Sequence, residues 1–409
     1  MAKAKVRITD LRVAVVGRAP MTCPLIRLDT DEGVYGLGEV RDGASATYAL
    51  ALKSRLLGED PLNVDRLFRK IKQFGGHARQ AGGVCAVEMA LWDIAGKVHG
   101  VPAWQLLGGK FRDEIRCYAD TPAAPDPNVT VERLRRRREL GYTFLKMDVG
   151  IDLLARGEGM LTAPVGDIRG LRPLYVEHMF TGIEIPQRGI DYLVDYVKAV
   201  REGIGWDIPL AADHFGHLGV NSAIRLGRAL ESCNLAWLED LVPWQHTDLW
   251  RRITEGVALP TCTGEDIYLK EGFRELCAAH AVDIIHPDLA TSGGLLETKK
   301  IGDLAQELGV PMAMHFAGTP VSCLANVHCA AATENFLALE QHSVDVPWWD
   351  GLVEGVAKPI VQNGFIAVPD APGLGVTLNE EAVREHCVGE YFAPTPEWDE
   401  ERSWDRWWS

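Results

Sequence analysis

The chain of 409 residues carries 42 basic against 57 acidic residues, a formal net charge of −15, with 47% hydrophobic and 24% charged residues. Its length exceeds what one hydrophobic core usually supports, so two domains are expected from an otherwise ordinary soluble composition. The acidic balance argues against a nucleic-acid or anionic-membrane partner, though not against an anionic small molecule, because a bound divalent cation reverses the local field.

Residues 5–40 alternate as antiparallel strands do: VRITDLRVAVV runs to Gly17, and CPLIRLDTDEGVYGLGEV turns at Thr30-Asp31-Glu32-Gly33. A helical portion is expected from Ser45 to Val98. Within it AVEMALWDIAGKVHG puts Val87, Leu91, Ile94, Ala95 and Val98 at helical spacing, with Gly100 and Pro102 as the stop. This is an α+β module. The boundary is expected near IRCYADTPAAPDPN, with Ile115 to Ala119 as a first barrel strand and VERLRRRRELG as the helix after it. The basic run Arg135 to Arg138 reads as a solvated helix face in so acidic a chain.

YTFLKMD, the second strand, ends with Lys146 and Asp148, and 64 residues then separate Asp148 from Asp213. IDYLVDYVKAVREG is the helix of that unit. The rest, from Gly150 to Gln187, reads as an inserted loop of the kind that forms lids or specificity loops; it carries Arg156, Arg169, Arg172, Tyr175 and His178.

From Asp213 to Glu340 a pattern takes over. Short apolar runs end in Asp213, Glu239, Glu265, Asp288, His315 and Glu340, spaced 23 to 27 residues apart. One strand, one loop and one helix need about that length, so the pattern predicts a (β/α) barrel whose strand ends converge on one site. After Glu340 a turn-rich exit, GFIAVPDAPGLGVTLNEEAV, leads to EWDEERSWDRWWS. That Trp-rich tail reads as a clamp on the protein itself or at a subunit interface.

Three carboxylates on adjacent strand ends repel one another unless a cation lies between them, and an all-oxygen set suits Mg²⁺. Asp213, Glu239 and Glu265 are that set; zinc is disfavoured because no His or Cys stands there. Asp288 beside His315 fixes the imidazole tautomer and poises it as a general base. Glu340 can hydrogen-bond a substrate oxygen as charge develops on it. Lys146 and Asp148 point to one side of their strand. Lys146 neutralises a substrate carboxylate, while Asp148 is either a second acid/base or the partner of Lys146. His214 and His217 follow the first acid, and either can protonate a leaving hydroxide. No phosphate-binding glycine loop and no nucleophile elbow is present. The nine cysteines show no paired spacing, and Cys262 and Cys323 read as reduced core thiols. With no membrane-length apolar segment and no signal-peptide core, a cytoplasmic location is expected.

These motifs resemble the enolase superfamily, and within it the mandelate racemase/muconate lactonizing group, over nearly the whole chain. EGVYGLGE, AVEMALWDIAGK and VPAWQLLGG look like the capping domain, and PDAPGLGV like the return to it. Asp213, Glu239 and Glu265 match the metal carboxylates, His315 and Asp288 the dyad, and Glu340 the terminal acid. The resemblance implies an α/β fold, a modified (β/α)7β TIM-like barrel with an N-terminal α+β capping domain completed by the C-terminal segment. The expected division is 1–114 for the cap, 115–368 for the barrel and 369–409 for the returning segment. It also implies Mg²⁺ and abstraction of the proton α to a carboxylate. Racemases of the group carry a second Lys where this chain has Asp148. A His beside the third-strand acid resembles the acid-sugar dehydratases. The expected activity is therefore loss of water from an acid sugar, with Arg18 and Arg41 of the cap closing over the distal hydroxyls. A racemase or epimerase is the alternative, and a homo-oligomer is expected.

Overall fold

The computed structural model describes residues 6–154, 157–162, 184–213, 215 and 218–400. The cap is an antiparallel sheet of β1 (Ile8–Val16), β2 (Cys23–Thr30) and β3 (Tyr35–Glu39), joined on the β1 edge by the late strand Cys387–Tyr391. The C-terminal segment thus completes the cap sheet. The expected helical portion is divided into Thr47–Leu50, Lys53–Leu56, Val64–Ile71 and the long helix Gly82–His99, which ends where expected, on a left-handed Gly100. That long helix lies hard against β3. A Cβ at Gly36 or Gly38 would run into the carbonyls of Ala90 and Ala86, so only glycine permits the approach.

Eight parallel strands follow: β4 (Glu114–Ala119), β5 (Leu145–Asp148), β6 (Leu210–Asp213), β7 (Leu238–Glu239), β8 (Thr261–Thr263), β9 (Ile284–Ile285), β10 (Met312–Met314) and β11 (Phe336–Gln341). Each pairs with the next, and β11 pairs back on β4 through Leu339↔Cys117 and Glu340↔Tyr118, which closes the ring. The strands β4 to β10 are each followed by a helix: Pro127–Glu139, Gln187–Ile204, Val220–Leu230, Thr247–Gly256, Lys270–Ala278, Leu295–Glu307 and Pro320–Ala331. β11 runs instead into the 3₁₀ turns Ser343–Asp345 and Trp349–Leu352. This is the expected (β/α)7β barrel. Among the strands not foreseen, Phe365–Ala367 of the exit pairs antiparallel with Glu114–Arg116 of β4.

The barrel interior explains where the chemistry sits. A buried layer of Tyr118, Phe144, Ala211, Trp237, Cys262, Ile284, Ala313 and Ala338 takes one residue from each strand or the residue just before it. Tyr118, Phe144 and Trp237 fill most of it, with ring centroids 4.9 to 5.5 Å apart, so the barrel is plugged. Strand side chains alternate with a period of two. The next inward layer is therefore Asp120, Lys146, Asp213, Glu239, Gly264, His286, His315 and Glu340. Polar residues in that layer stand on an apolar floor.

In the inserted loop the described parts are a helical turn, Ile151–Leu154, and a bridge between Thr162 and Glu184. Arg156, Arg169, Arg172, Tyr175 and His178 lie outside the described residues, as do His214, His217 and the tail from residue 401. Within the basic run, Arg137 departs from the expected solvated face. It is buried and forms a two-pronged pair with Asp345. No described helix is long and apolar enough to cross a membrane.

Candidate active site

Lys146 is the hub of the barrel mouth. Its ammonium is 1% exposed and lies 2.6 Å from Glu340 Oε1, 3.1 Å from Asp213 Oδ2, 3.1 Å from Glu239 Oε1 and 3.8 Å from Asp120 Oδ1. Burial disfavours its charge, but these carboxylates outweigh burial and hold the pKa well above the ordinary lysine value.

His315 follows β10, and its Nδ1 lies 2.6 Å from Asp288 Oδ2. Asp288 is fixed in turn: its other oxygen accepts from Ala290 N at 2.7 Å, capping the turn Leu289–Ser292. With Nδ1 engaged, Nε2 faces Glu265 Oε2 at 3.2 Å and Glu340 Oε2 at 3.7 Å. Burial works against the imidazolium, yet Glu265 and Glu340 raise the His315 pKa above its ordinary value.

Glu265 is the one acid of the set out of phase with the inward layer. Gly264, at φ +147, turns the chain so that the following residue reaches the mouth. Arg41 then anchors it from the cap. The buried guanidinium donates to Glu265 O at 2.9 Å and Oε1 at 3.1 Å, to Thr291 Oγ1 at 2.6 Å and to Asp42 Oδ1 at 2.7 Å, and lies 3.3 Å from Asp288. Arg41 also lines the mouth cavity, and the donors in these bonds point at the protein's own oxygens. Arg18 is exposed, at φ +61, and is not among the residues lining the mouth cavity. From the cap, Met21, Arg41, Asp42 and Arg79 line it, Arg79 being half exposed and paired with Asp42 at 3.0 Å.

The mouth encloses about 350 Å³, bounded by Lys146, Asp213, Glu265 and His315 among others. A larger cavity of about 610 Å³ near Tyr142 and Trp349 touches none of the strand-end acids of the set and does not bear on this chemistry.

Four polar residues were passed over in the sequence. His286 is buried, 3.2 Å from Glu239, and its ring stands edge-on to His315 at 5.5 Å. His342 lies between Asp120 at 3.3 Å and Glu340 at 3.2 Å. Asp240 takes a hydrogen bond from Thr263 Oγ1 at 2.5 Å. The signal for His286 and His342 was the two-residue period, which puts His286 with Asp288 and His342 with Glu340. Asp120 shares the phase of Tyr118. Asp148 is half-buried beside Asp120, and desolvation and then Asp120 push its carboxyl up to about 9.

Asp213, Glu239 and Glu265 offer oxygen donors from three neighbouring strands, and Lys146 already binds two of them as a shared cation. Oxygens of Glu239 and Glu265 and a nitrogen of His286 lie within 4.8 Å of one another. A hard cation that prefers oxygen fits this donor set.

A closed eight-stranded parallel barrel with these groups at its strand ends, under an α+β cap, defines a capped-barrel enzyme. Residues 129–382 match the family described as enolase C-terminal domain-like, and residues 2–108 the mandelate racemase/muconate lactonizing enzyme N-terminal domain. The chain belongs to the enolase superfamily, in its mandelate racemase/muconate lactonizing group. It is 38% identical over 392 residues to a D-xylonate dehydratase of Haloferax volcanii, covering 93% of this chain and 89% of that one. It is 28% identical to an arabinonate dehydratase of Saccharolobus solfataricus, covering 91% and 93%. A mandelate racemase/muconate lactonizing enzyme-like protein from Rubrobacter xylanophilus superposes with a TM-score of 0.84 at 33% identity, over 95% of this chain and all of that one. Its relatives place this enzyme with the hydro-lyases.

Proposed function

We propose that the enzyme is a Mg²⁺-dependent dehydratase of an acid sugar, yielding a 2-keto-3-deoxy acid. The observation that carries this is the convergence, on one apolar floor, of Lys146, three oxygen donors and an imidazole whose Nδ1 is held by Asp288 and whose Nε2 faces the mouth acids. The relatives named for xylonate and arabinonate support the substrate class.

Asp213, Glu239 and Glu265 would hold the ion, and Mg²⁺ would supply positive charge to the substrate's carboxylate oxygens. Lys146 meets the same carboxylate from the side of Glu340. Asp288 accepts the Nδ1–H of His315 and so leaves the Nε2 lone pair facing the cavity, where it removes the proton α to the carboxylate. Glu340, among donors from Tyr118 at 3.1 Å and Phe316 N at 3.4 Å, faces the oxygens that gain charge. After that transfer His315 is an imidazolium able to return a proton to the departing 3-hydroxyl. His214 and His217 are the other candidates for that step. Reprotonation of the carbon by Asp148 is the step that the epimerase alternative requires.

A cytoplasmic location belongs to the same proposal and is supported by nine free cysteines. So does the division at 1–114, 115–368 and 369–409, supported by β4 starting at Glu114 and by the late strand on β1. The test is incubation with Mg²⁺ and a panel of mono- and diacid sugars, D-xylonate first, with assay of 2-keto-3-deoxy products. At least one sugar is expected to give product. α-Proton exchange with solvent and no product across the panel would establish the epimerase instead.

A further inference from the structure

The barrel closes by laying β11 on β4, and closure brings a second histidine–aspartate pair to the mouth. His342 Nδ1 lies 3.3 Å from Asp120 Oδ2, and its Nε2 lies 3.2 Å from Glu340 Oε1. Glu340 therefore stands between two such pairs, since its other oxygen is 3.7 Å from His315 Nε2. The order is Asp288, His315, Glu340, His342, Asp120, a chain of alternating carboxylates and imidazoles. Glu340 and Asp120 are buried, and His342 is 22% exposed and lines the cavity.

We propose that Asp120 and His342 form a proton relay that sets the protonation of Glu340 during the reaction, with His342 acting through Glu340 as a positioning residue. The proposal rests on the dehydratase reading and assigns a role to residues that reading leaves idle. At rest His342 is an imidazolium between two carboxylates, with Nδ1 on the side of Asp120 and Nε2 on the side of Glu340. As His315 takes the α-proton, negative charge grows on the substrate carboxylate that Glu340 faces. The Nε2–H bond of His342 then breaks and an O–H bond forms on Glu340, so Glu340 becomes a donor to that oxygen. Asp120 keeps the Nδ1–H of the now neutral ring. When the 3-hydroxyl leaves and the charge is discharged, the proton returns to His342, and no other reactant is consumed.

The electrostatics agree with the resting state. The groups facing His342 are Asp120 on β4, Lys146 on β5, His315 after β10 and Glu340 on its own strand; the two imidazole rings are 5.8 Å apart. Burial and Lys146 oppose an imidazolium at this place, while Asp120 and Glu340 outweigh them and push His342 up to about 10.

Two measurements on the full chain with Mg²⁺ decide it. In ¹⁵N NMR, the imidazole signals that disappear in His342→Gln are expected to show both nitrogens protonated at pH 8, and Asp120→Asn to bring that titration down by a unit or more. Titration of His342 near the ordinary 6.5 overturns the relay whether or not a substrate has been found. With D-xylonate, or the acid sugar the panel identifies, His342→Gln and His342→Asn are expected to lower kcat about 10²-fold, the lower end for a proton-transfer group. KM should change less than threefold, and the alkaline limb of the pH profile should be lost. An unchanged kcat, or a loss confined to KM, overturns the relay as well. If the parent enzyme dehydrates nothing in the panel, the functional reading fails, while the NMR result still judges the relay.

Discussion

Buried carboxylates occur in two places in this molecule, and they are treated in opposite ways. At the seam between cap and barrel each acid meets donors. Glu39 accepts from Thr319 N at 2.9 Å, Ser322 N at 3.2 Å and the Thr319 hydroxyl, and Glu88 from Leu295 N at 2.6 Å, Leu296 N at 3.0 Å and Trp92 Nε1 at 2.6 Å. Asp93 accepts from Leu37 N and Leu374 N, both at 2.9 Å. Glu39 and Glu88 sit at the N-termini of the helices that follow β10 and β9, where unpaired N–H groups and the helix dipole favour an acceptor. At the mouth, by contrast, acids face acids around Lys146. The seam uses its carboxylates for docking, whereas the mouth carries an excess of negative charge. Residue type alone does not separate the two uses; the identity of the neighbours does.

The largest effect should come from the mouth. Glu265→Gln keeps the shape and the bond to Arg41 but removes a charge; activity is expected to fall about 10³-fold, while the metal-free protein melts no more than a few degrees lower. A melt that collapses with activity would erase the contrast. His315→Asn should cost about 10²- to 10⁴-fold in kcat and leave Mg²⁺ affinity, measured by calorimetry, nearly intact.

At the seam the order reverses. Glu39→Ala leaves buried N–H groups without an acceptor and should destabilise by about 1–3 kcal/mol in denaturant titration, with the folded fraction keeping most of its specific activity. A further effect is one of pH. Burial raises Glu39 from 4.5 to about 8 in the folded chain. A folded pKa above the unfolded one means that its contribution is full below 4.5 and is lost as pH rises through about 8. Thermal stability should therefore decline over that window, and less steeply in Glu39→Gln.

How far the site was legible follows from the geometry of strands. Asp213, Glu239, His315 and Glu340 each stand two residues beyond a member of the apolar plug, so a period of two marks them in the sequence. His286 obeys the same rule and His342 lies one period further, beyond Glu340; each is two residues from a more conspicuous acid. What the sequence could not show is who meets whom across the ring. Asp120 and His342 are brought together only by closure of β11 on β4, and no local pattern encodes that. The anchoring contacts of Arg41 were hidden for a similar reason. Its acceptors, Glu265, Thr291 and Asp288, come from the far half of the chain, and only cap docking supplies them. The long cap helix and the (β/α)7β order were readable, since both rest on local periodicity; the division of the first helical stretch into pieces was not.

The central claim is that three acids from adjacent strands hold one hard cation beside His315. Crystals grown with Mn²⁺ and measured at its absorption edge test it most directly. One anomalous peak is expected, with oxygens of Asp213, Glu239 and Glu265 about 2.1–2.2 Å away, near octahedral Mg²⁺ distances. A peak held instead by His315, Glu340 and His342, or no peak at the mouth, would contradict it.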